Sequence, residues 1–194
     1  TGYSYNGSNS DYYTAKYAAA DGALLWEERY NAPANRTDSA AAIAVDGIGN
    51  VVVTGYSYND GNISSYGDYY TAKYAAVNGT LLWEKRYNGP ANDDDSAVAV
   101  AVDGSGNVVV TGYSVGPGGN YDYYTAKYAA LDGTLLWEKR YNGAANSYDY
   151  GQAVVVDGSG NVVVTGYSKS DYYTAKYAAA DGALAGGRAG GGVF

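Results

Sequence analysis

The chain contains no cysteine, no histidine and no methionine, and a single phenylalanine, among its 194 residues. Without cysteine there is no disulfide framework, no thiolate metal ligand and no cysteine nucleophile, and the usual redox clue to the compartment is missing. Without histidine the commonest general base is gone as well. Positive charge is scarce: 12 Lys and Arg stand against 20 Asp and Glu, for a net charge of −8. No basic stripe exists to neutralise a phosphate backbone, so nucleic acid is not expected as a partner. No run of 18 apolar residues occurs, so no membrane span is expected, and no charged-then-apolar leader opens the chain. A first residue other than methionine reads as a processed or excised piece.

What the chain has in quantity is tyrosine, 25 residues, and glycine, 28. That usage favours strands and turns over helices. Repetition organises it. "TGYS" begins at Thr1, Thr54, Thr111 and Thr165, "YYTAKY" at Tyr12, Tyr69, Tyr123 and Tyr172, "LLWE" at Leu24, Leu81 and Leu135, and "VDG" at Val45, Val102 and Val156. The last two series both step by 57 and then 54 residues, so insertions are shared between them. Each unit reads as four short strands, at positions designated A to D. In one unit these are "SAVAVAVD" (96–103), "NVVVTGYS" (107–114), "DYYTAKYAA" (122–130) and "TLLWEKRYN" (134–142). The links "DGSGN" and "LDG" suit tight antiparallel reversals. The alternating Ala and Val of position A fit a crowded strand near a central axis. In position D, Trp83 and Tyr87 fall on one face and Glu84 and Arg86 on the other, as in an outer strand with one packed and one wet face. Trp26, Trp83 and Trp137 occupy one repeat position and are read as structural aromatics.

The succession "DYYTAKYAAVNGTLLWEKRYNGPANDDDSAVAVAVDGSGNVVVTGYS" (68–114) resembles the bacterial SBBP, or seven-bladed β-propeller, repeat, and the resemblance runs to about Leu184. It implies a propeller-type module of large secreted or surface-attached bacterial proteins, without catalytic residues to carry over. Only four repeats are present, and "ALAGGRAGGGVF" replaces the last D strand. The expected fold is therefore all-β, a repeat protein of four-stranded antiparallel blades with incomplete terminal blades. The repeats fall at about 1–38, 39–95, 96–150 and 151–184, followed by a Gly-rich tail, 185–194, read as linker, degenerate strand or donated strand. A closed four-bladed ring, part of a larger ring, and self-assembly into a ring or fibre through the terminal strands all remain open.

Catalysis finds little to work with. Carboxylates are the only plausible catalytic groups, and Asp93, Asp94 and Asp95 are too contiguous for the spaced pair that glycoside hydrolysis needs. No enzyme activity and no cofactor are expected. "DGSGN" places Asp103, Ser105 and Asn107 like the start of a calcium loop, but Val108 stands where such a loop needs Gly and Ser114 where it needs Glu, so a plain hairpin is read and no metal is expected. The sequons at Asn6, Asn35, Asn62 and Asn78 carry no weight in so turn-rich a chain.

The segments that do not repeat carry the functional clue. In an up-and-down meander the B–C and D–A loops share one face, and these loops vary while the A–B and C–D turns do not. The candidate binding face comprises Tyr58, Asn59, Asp60, Asn62, Tyr66, Asp93, Asp94, Asp95, Tyr121, Tyr148 and Tyr150. The expected role is a structural or adhesive module at the bacterial exterior, self-associating and contacting surface glycans or proteins. A carbohydrate-binding module is the alternative.

Overall fold

The computed structural model describes residues 1–58 and 66–190, and all its regular elements are β-strands. A three-stranded sheet holds β1 (Gly2–Tyr5), β2 (Ser10–Tyr17) and β3 (Leu24–Tyr30). The second sheet holds β4 (Asp38–Val45), β5 (Val51–Ser57), β6 (Asp68–Tyr74) and β7 (Leu81–Tyr87). The third holds β8 (Asp95–Val102), β9 (Val108–Val115), β10 (Tyr121–Tyr128) and β11 (Leu135–Tyr141). The fourth holds β12 (Asp149–Val156), β13 (Val162–Ser168), β14 (Asp171–Tyr177) and β15 (Leu184–Ala189). Each sheet is an antiparallel meander in chain order, so the chain is an all-β repeat protein of propeller-like blades. No helix long and apolar enough to cross a membrane occurs among the described residues.

Blade boundaries fall one residue earlier than the repeats suggest at Asp38 and Asp95 and two earlier at Asp149, because each of these aspartates begins position A. A larger correction concerns the last blade. Leu184–Ala189 is neither a linker nor a donated strand but the degenerate strand among the three readings, pairing Lys176 with Gly186 and Tyr173 with Ala189 in its own sheet. A ladder needs backbone groups, and a Gly-rich strand supplies them as well as any other. Only the first blade, which lacks position A, is incomplete.

Successive blades stack face to face. The position A strands β4, β8 and β12 pack on one another along the inner edge, and β3, β7, β11 and β15 lie outside. No comparable packing joins the fourth blade to the first, so the described blades form an open arc rather than a closed four-bladed ring.

The core lies between the blades, in three clusters built from equivalent residues. Tyr12, Tyr69 and Tyr123, each 1% exposed, donate their hydroxyls to the next blade's Tyr70, Tyr124 and Tyr173 carbonyls at 3.4, 3.2 and 3.0 Å. The same rings meet Tyr70, Tyr124 and Tyr173 edge-on, with centroids 5.2, 5.3 and 5.5 Å apart. From position D, Tyr30, Tyr87 and Tyr141 stack on those rings at 4.0, 3.8 and 3.6 Å. Trp26, Trp83 and Trp137 are buried and donate Nε1 to the carbonyls of Ala76, Ala130 and Ala179 in the following blade.

The second face of position D is exposed at Glu84, while Arg86 on the same face is partly buried. Arg86 reaches back to the Tyr30 hydroxyl of the preceding blade at 2.9 Å and to Asp68 at 3.2 Å, and Arg140 does the same with Tyr87 and Asp122. Lys73 is buried with its Nζ 2.9 Å from Asp46 and bonded to the Ala130 carbonyl of the next blade. Burial alone would raise the Asp46 carboxyl, but Lys73 and Asn50 hold it below the usual range.

The recurrent "TGYS" has a steric cause. Position A carries a bulge in which Val98 is the extra residue between Ala97 and Ala99, and this pushes the Ser96 carbonyl toward Gly112. A Cβ on Gly112 would lie 2.1 Å from that carbonyl and 2.7 Å from the Tyr69 hydroxyl. Gly112→Ala is expected to cost about 1–3 kcal/mol in urea unfolding, while Gly104→Ala, with nothing nearby, leaves the midpoint almost unmoved. Trp83→Ala is expected to destabilise by about 3–5 kcal/mol. A loss below about 1 kcal/mol would show that the indole contributes little to the blade interface.

Candidate functional site

The meander sends the A–B and C–D turns to one face, and these are closed by their own residues. In the turn after β8, Asp103 Oδ1 accepts the N–H groups of Ser105 and Asn107, both at 2.9 Å, and its Oδ2 meets Lys127 at 2.9 Å. The carboxylate resembling a calcium ligand is thus held by turn amides and a buried lysine. Between the second and third blades this face also has a hollow of about 380 Å³, walled in part by Ile48, Leu82 and Leu131.

The other face gathers the variable loops, and here the rings converge. Tyr113 lies near the end of β9 and Tyr121 begins β10, 4.9 Å apart by centroid, while Tyr150 of β12 lies 5.0 Å from the first and 5.3 Å from the second. Tyr148 lies 5.7 Å from Tyr121, and Tyr167 lies 5.2 Å from Tyr150. Toward the second blade, Tyr56 and Tyr58 meet edge-on at 5.9 Å, and the Arg36 guanidinium sits 4.1 Å from the Tyr58 centroid. Between the two groups opens a cleft of about 240 Å³ walled by Tyr56, Tyr58, Tyr113, Asp94, Asp95 and Ser96. Asp94 is fixed across it: its carboxylate accepts the Gly67 N–H and its carbonyl the Val115 N–H, each at 3.2 Å. Burial raises the phenols of Tyr58, Tyr113 and Tyr121, the last to about 12, and the negative charge of Asp94 adds to all three shifts.

Of the residues singled out from sequence, Tyr121, Tyr148 and Tyr150 come together, and Asp94 stands between them and Tyr58. Asp93 turns to the backbone, accepting the Asp94 N–H at 2.7 Å. Tyr66 lies exposed beside Gly67. Asn59, Asp60 and Asn62 lie outside the described residues. Asp95 corrects the expectation of a surface acid. It is 1% exposed and clamps the D–A turn by accepting the Gly89 N–H, as Asp38 and Asp149 do for Ala32 and Gly143. Its Oδ1 has no hydrogen-bond partner.

Sequence reasoning misses Tyr56, Tyr113 and Tyr167 because they recur with "TGYS" and do not stand out against the repeat. Their signal is the register: the tyrosine of "TGYS" in position B pairs with Ser39, Ser96 or Tyr150 at the loop end of the sheet. Arg36 carried no pattern at all.

No protein-family model matches the chain, and no characterised protein sequence is significantly similar to it. Among solved structures the fold superposes on BamB from Moraxella catarrhalis with a TM-score of 0.55 at 14% identity, over 96% of this chain and 47% of that one. It superposes on the quinohemoprotein alcohol dehydrogenase ADHIIG from Pseudomonas putida HK5 with a TM-score of 0.53 at 13% identity, over 91% of this chain and 31% of that one. Both are β-propeller proteins, and the likeness establishes that fold for the four blades. This chain spans about half the length of the first and under one third of the second.

Burial pushes the Asp95 carboxyl up to about 6, with the Asp68 charge adding and Arg140 opposing. A folded-state value above the ordinary carboxylate range means that protonation favours the fold. The stabilisation is complete below about pH 4 and is lost as pH rises through about 6. Asp38 is raised by burial and acts in the same sense. Asp46 and Asp103 are held low and lose their contribution only under more acidic conditions, so the windows separate. Asp95→Asn retains an acceptor for Gly89. It is expected to flatten the calorimetric Tm profile between about pH 4 and 6. An unchanged slope would clear Asp95 of that pH dependence.

Proposed function

We propose that the chain is a non-catalytic repeat module with a structural or adhesive role at the bacterial exterior, and that it makes its contacts through the variable-loop face. One observation carries the reading: five tyrosine rings from two blades, Tyr113, Tyr121, Tyr148, Tyr150 and Tyr167, converge on that face, with Tyr148 51% and Tyr167 47% exposed. Tyrosine offers rigid apolar area and a polar tip at low entropic cost, which suits a contact surface rather than a reaction centre. The sequence supplies neither histidine nor cysteine for acid–base or nucleophilic work. The exterior setting rests on the family resemblance of the repeats. Self-association belongs to the same reading, through the outer faces of the terminal blades, where Tyr3, Tyr5 and Tyr172 are more than half exposed.

A carbohydrate-binding module is the second reading, favoured by the exposed rings of Tyr148 and Tyr167, on which a sugar face can stack. A glycan array separates the two, since saturable retention of a defined sugar belongs to the second alone. Beads coated with the chain are expected to be retained on bacterial envelope preparations. Combining Tyr121→Ala, Tyr148→Ala and Tyr150→Ala is expected to cut retention about tenfold with an unchanged circular dichroism spectrum. Equal retention of this variant would reject the loop face as the contact surface.

A further inference from the structure

We propose that the cleft between the second and third blades binds an arginine side chain of a partner protein, its guanidinium held against the rings of Tyr58 and Tyr113 and paired with the Asp94 carboxylate. The inference rests on the variable-loop face being the contact surface, and it names the chemistry that face takes.

The chain contains its own templates for such a site. Arg86 and Arg140 are each held by a tyrosine ring face, a carboxylate, a tyrosine hydroxyl and a serine. For Arg140 these are Tyr124 at 5.9 Å, Asp122 at 3.1 Å, Tyr87 at 2.9 Å and Ser114 at 2.7 Å. The cleft assembles the same groups, in Tyr56, Tyr58, Tyr113, Asp94 and Ser96, with no lysine or arginine in its lining. At about 240 Å³ it has room for a planar guanidinium and the methylenes behind it. Its rim already tolerates that group, since Arg36 lies over Tyr58 from outside the lining. Every cation resting on an aromatic ring among the described residues is an arginine.

Two further features favour a cation there. Asp95 lines the cleft and is 1% exposed, so its carboxylate adds negative potential where water is scarce. The net charge of −8 draws cationic partners by long-range attraction. Arginine suits the site better than lysine: its planar, weakly hydrated fork stacks on rings while meeting a carboxylate, and an ammonium is a compact, strongly hydrated point charge.

The test titrates acetyl-Gly-Arg-Gly amide into the chain labelled at tyrosine and follows ring resonances by NMR. Saturable shifts of Tyr58 and Tyr113 are expected. Replacing arginine by citrulline keeps the shape and removes the charge, and is expected to weaken binding about tenfold or more. Asp94→Asn, which keeps an acceptor for Gly67, is expected to weaken the arginine peptide by a similar factor. Citrulline binding as well as arginine, or saturable shifts that spare Tyr58 and Tyr113, would overturn the proposal, as would the absence of saturable binding. The citrulline arm needs no protein variant, so a folding defect in Asp94→Asn cannot mask the outcome. If the peptide fails while envelope retention still depends on Tyr121, Tyr148 and Tyr150, this inference falls and the loop-face reading stands. If retention ignores those rings, the reading itself falls.

Discussion

The contact between consecutive blades is the constraint on which everything else depends. A four-stranded meander of this size has two faces and no interior, so it cannot remove its apolar side chains from water by itself. Here the first tyrosine of "YYTAKY" in each of the first three blades crosses to the next blade, donating its hydroxyl to a backbone carbonyl there, while a tryptophan and a lysine from the same blade dock on a second carbonyl, three residues past the lysine of that next blade's position C strand. Ring area, buried hydrogen bonds and a paired charge are satisfied in one interface. Removing any member leaves the others facing a cavity or an unpaired polar group.

The fourth blade shows what that contact does, because among the described residues no further blade packs over its outer face. Lys176 and Asp157 still pair at 2.7 Å, but their side chains are 46% and 32% exposed, against 2% and 5% for the equivalent Lys73 and Asp46. The lysine is therefore buried by its neighbouring blade and not by its own sheet. Gly186 in β15 and Gly190 just after it occupy the positions of Trp83 and Tyr87, so the strand keeps its ladder without the side chains that grip a following blade. Backbone pairing and blade stacking are separable in this architecture: the first survives glycine and the second does not.

The same separation places the candidate site. Stacking fixes positions C and D so tightly that they repeat almost unchanged, whereas the B–C and D–A loops are free of it and differ in every blade. Asp94, Tyr121 and Tyr150 reach one another because adjacent blades bring the ends of different loops side by side. The arginine sites built into the scaffold, around Arg86 and Arg140, show that ring, carboxylate and hydroxyl together satisfy a guanidinium in this environment.

The sequence alone determined the strand count per unit, the meander order, the single face for the variable loops and the shared role of the three tryptophans. All of these follow from period-two alternation, turn chemistry and identical spacing, which are local properties. It also marked Tyr121, Tyr148 and Tyr150, because unrepeated aromatics in loops stand out against a repeat. Tertiary structure decided the rest. It turned Asp95 from a surface acid into a buried clamp, since burial depends on which blade packs over a residue. It drew Tyr56 and Tyr113 out of the scaffold into the cleft, since only the register shows which end of a strand reaches the loop face. It made a strand of Leu184–Ala189, because a ladder is held by backbone groups that no side-chain pattern announces. And it left the arc open, because curvature is a sum of small rotations between blades that no single repeat encodes.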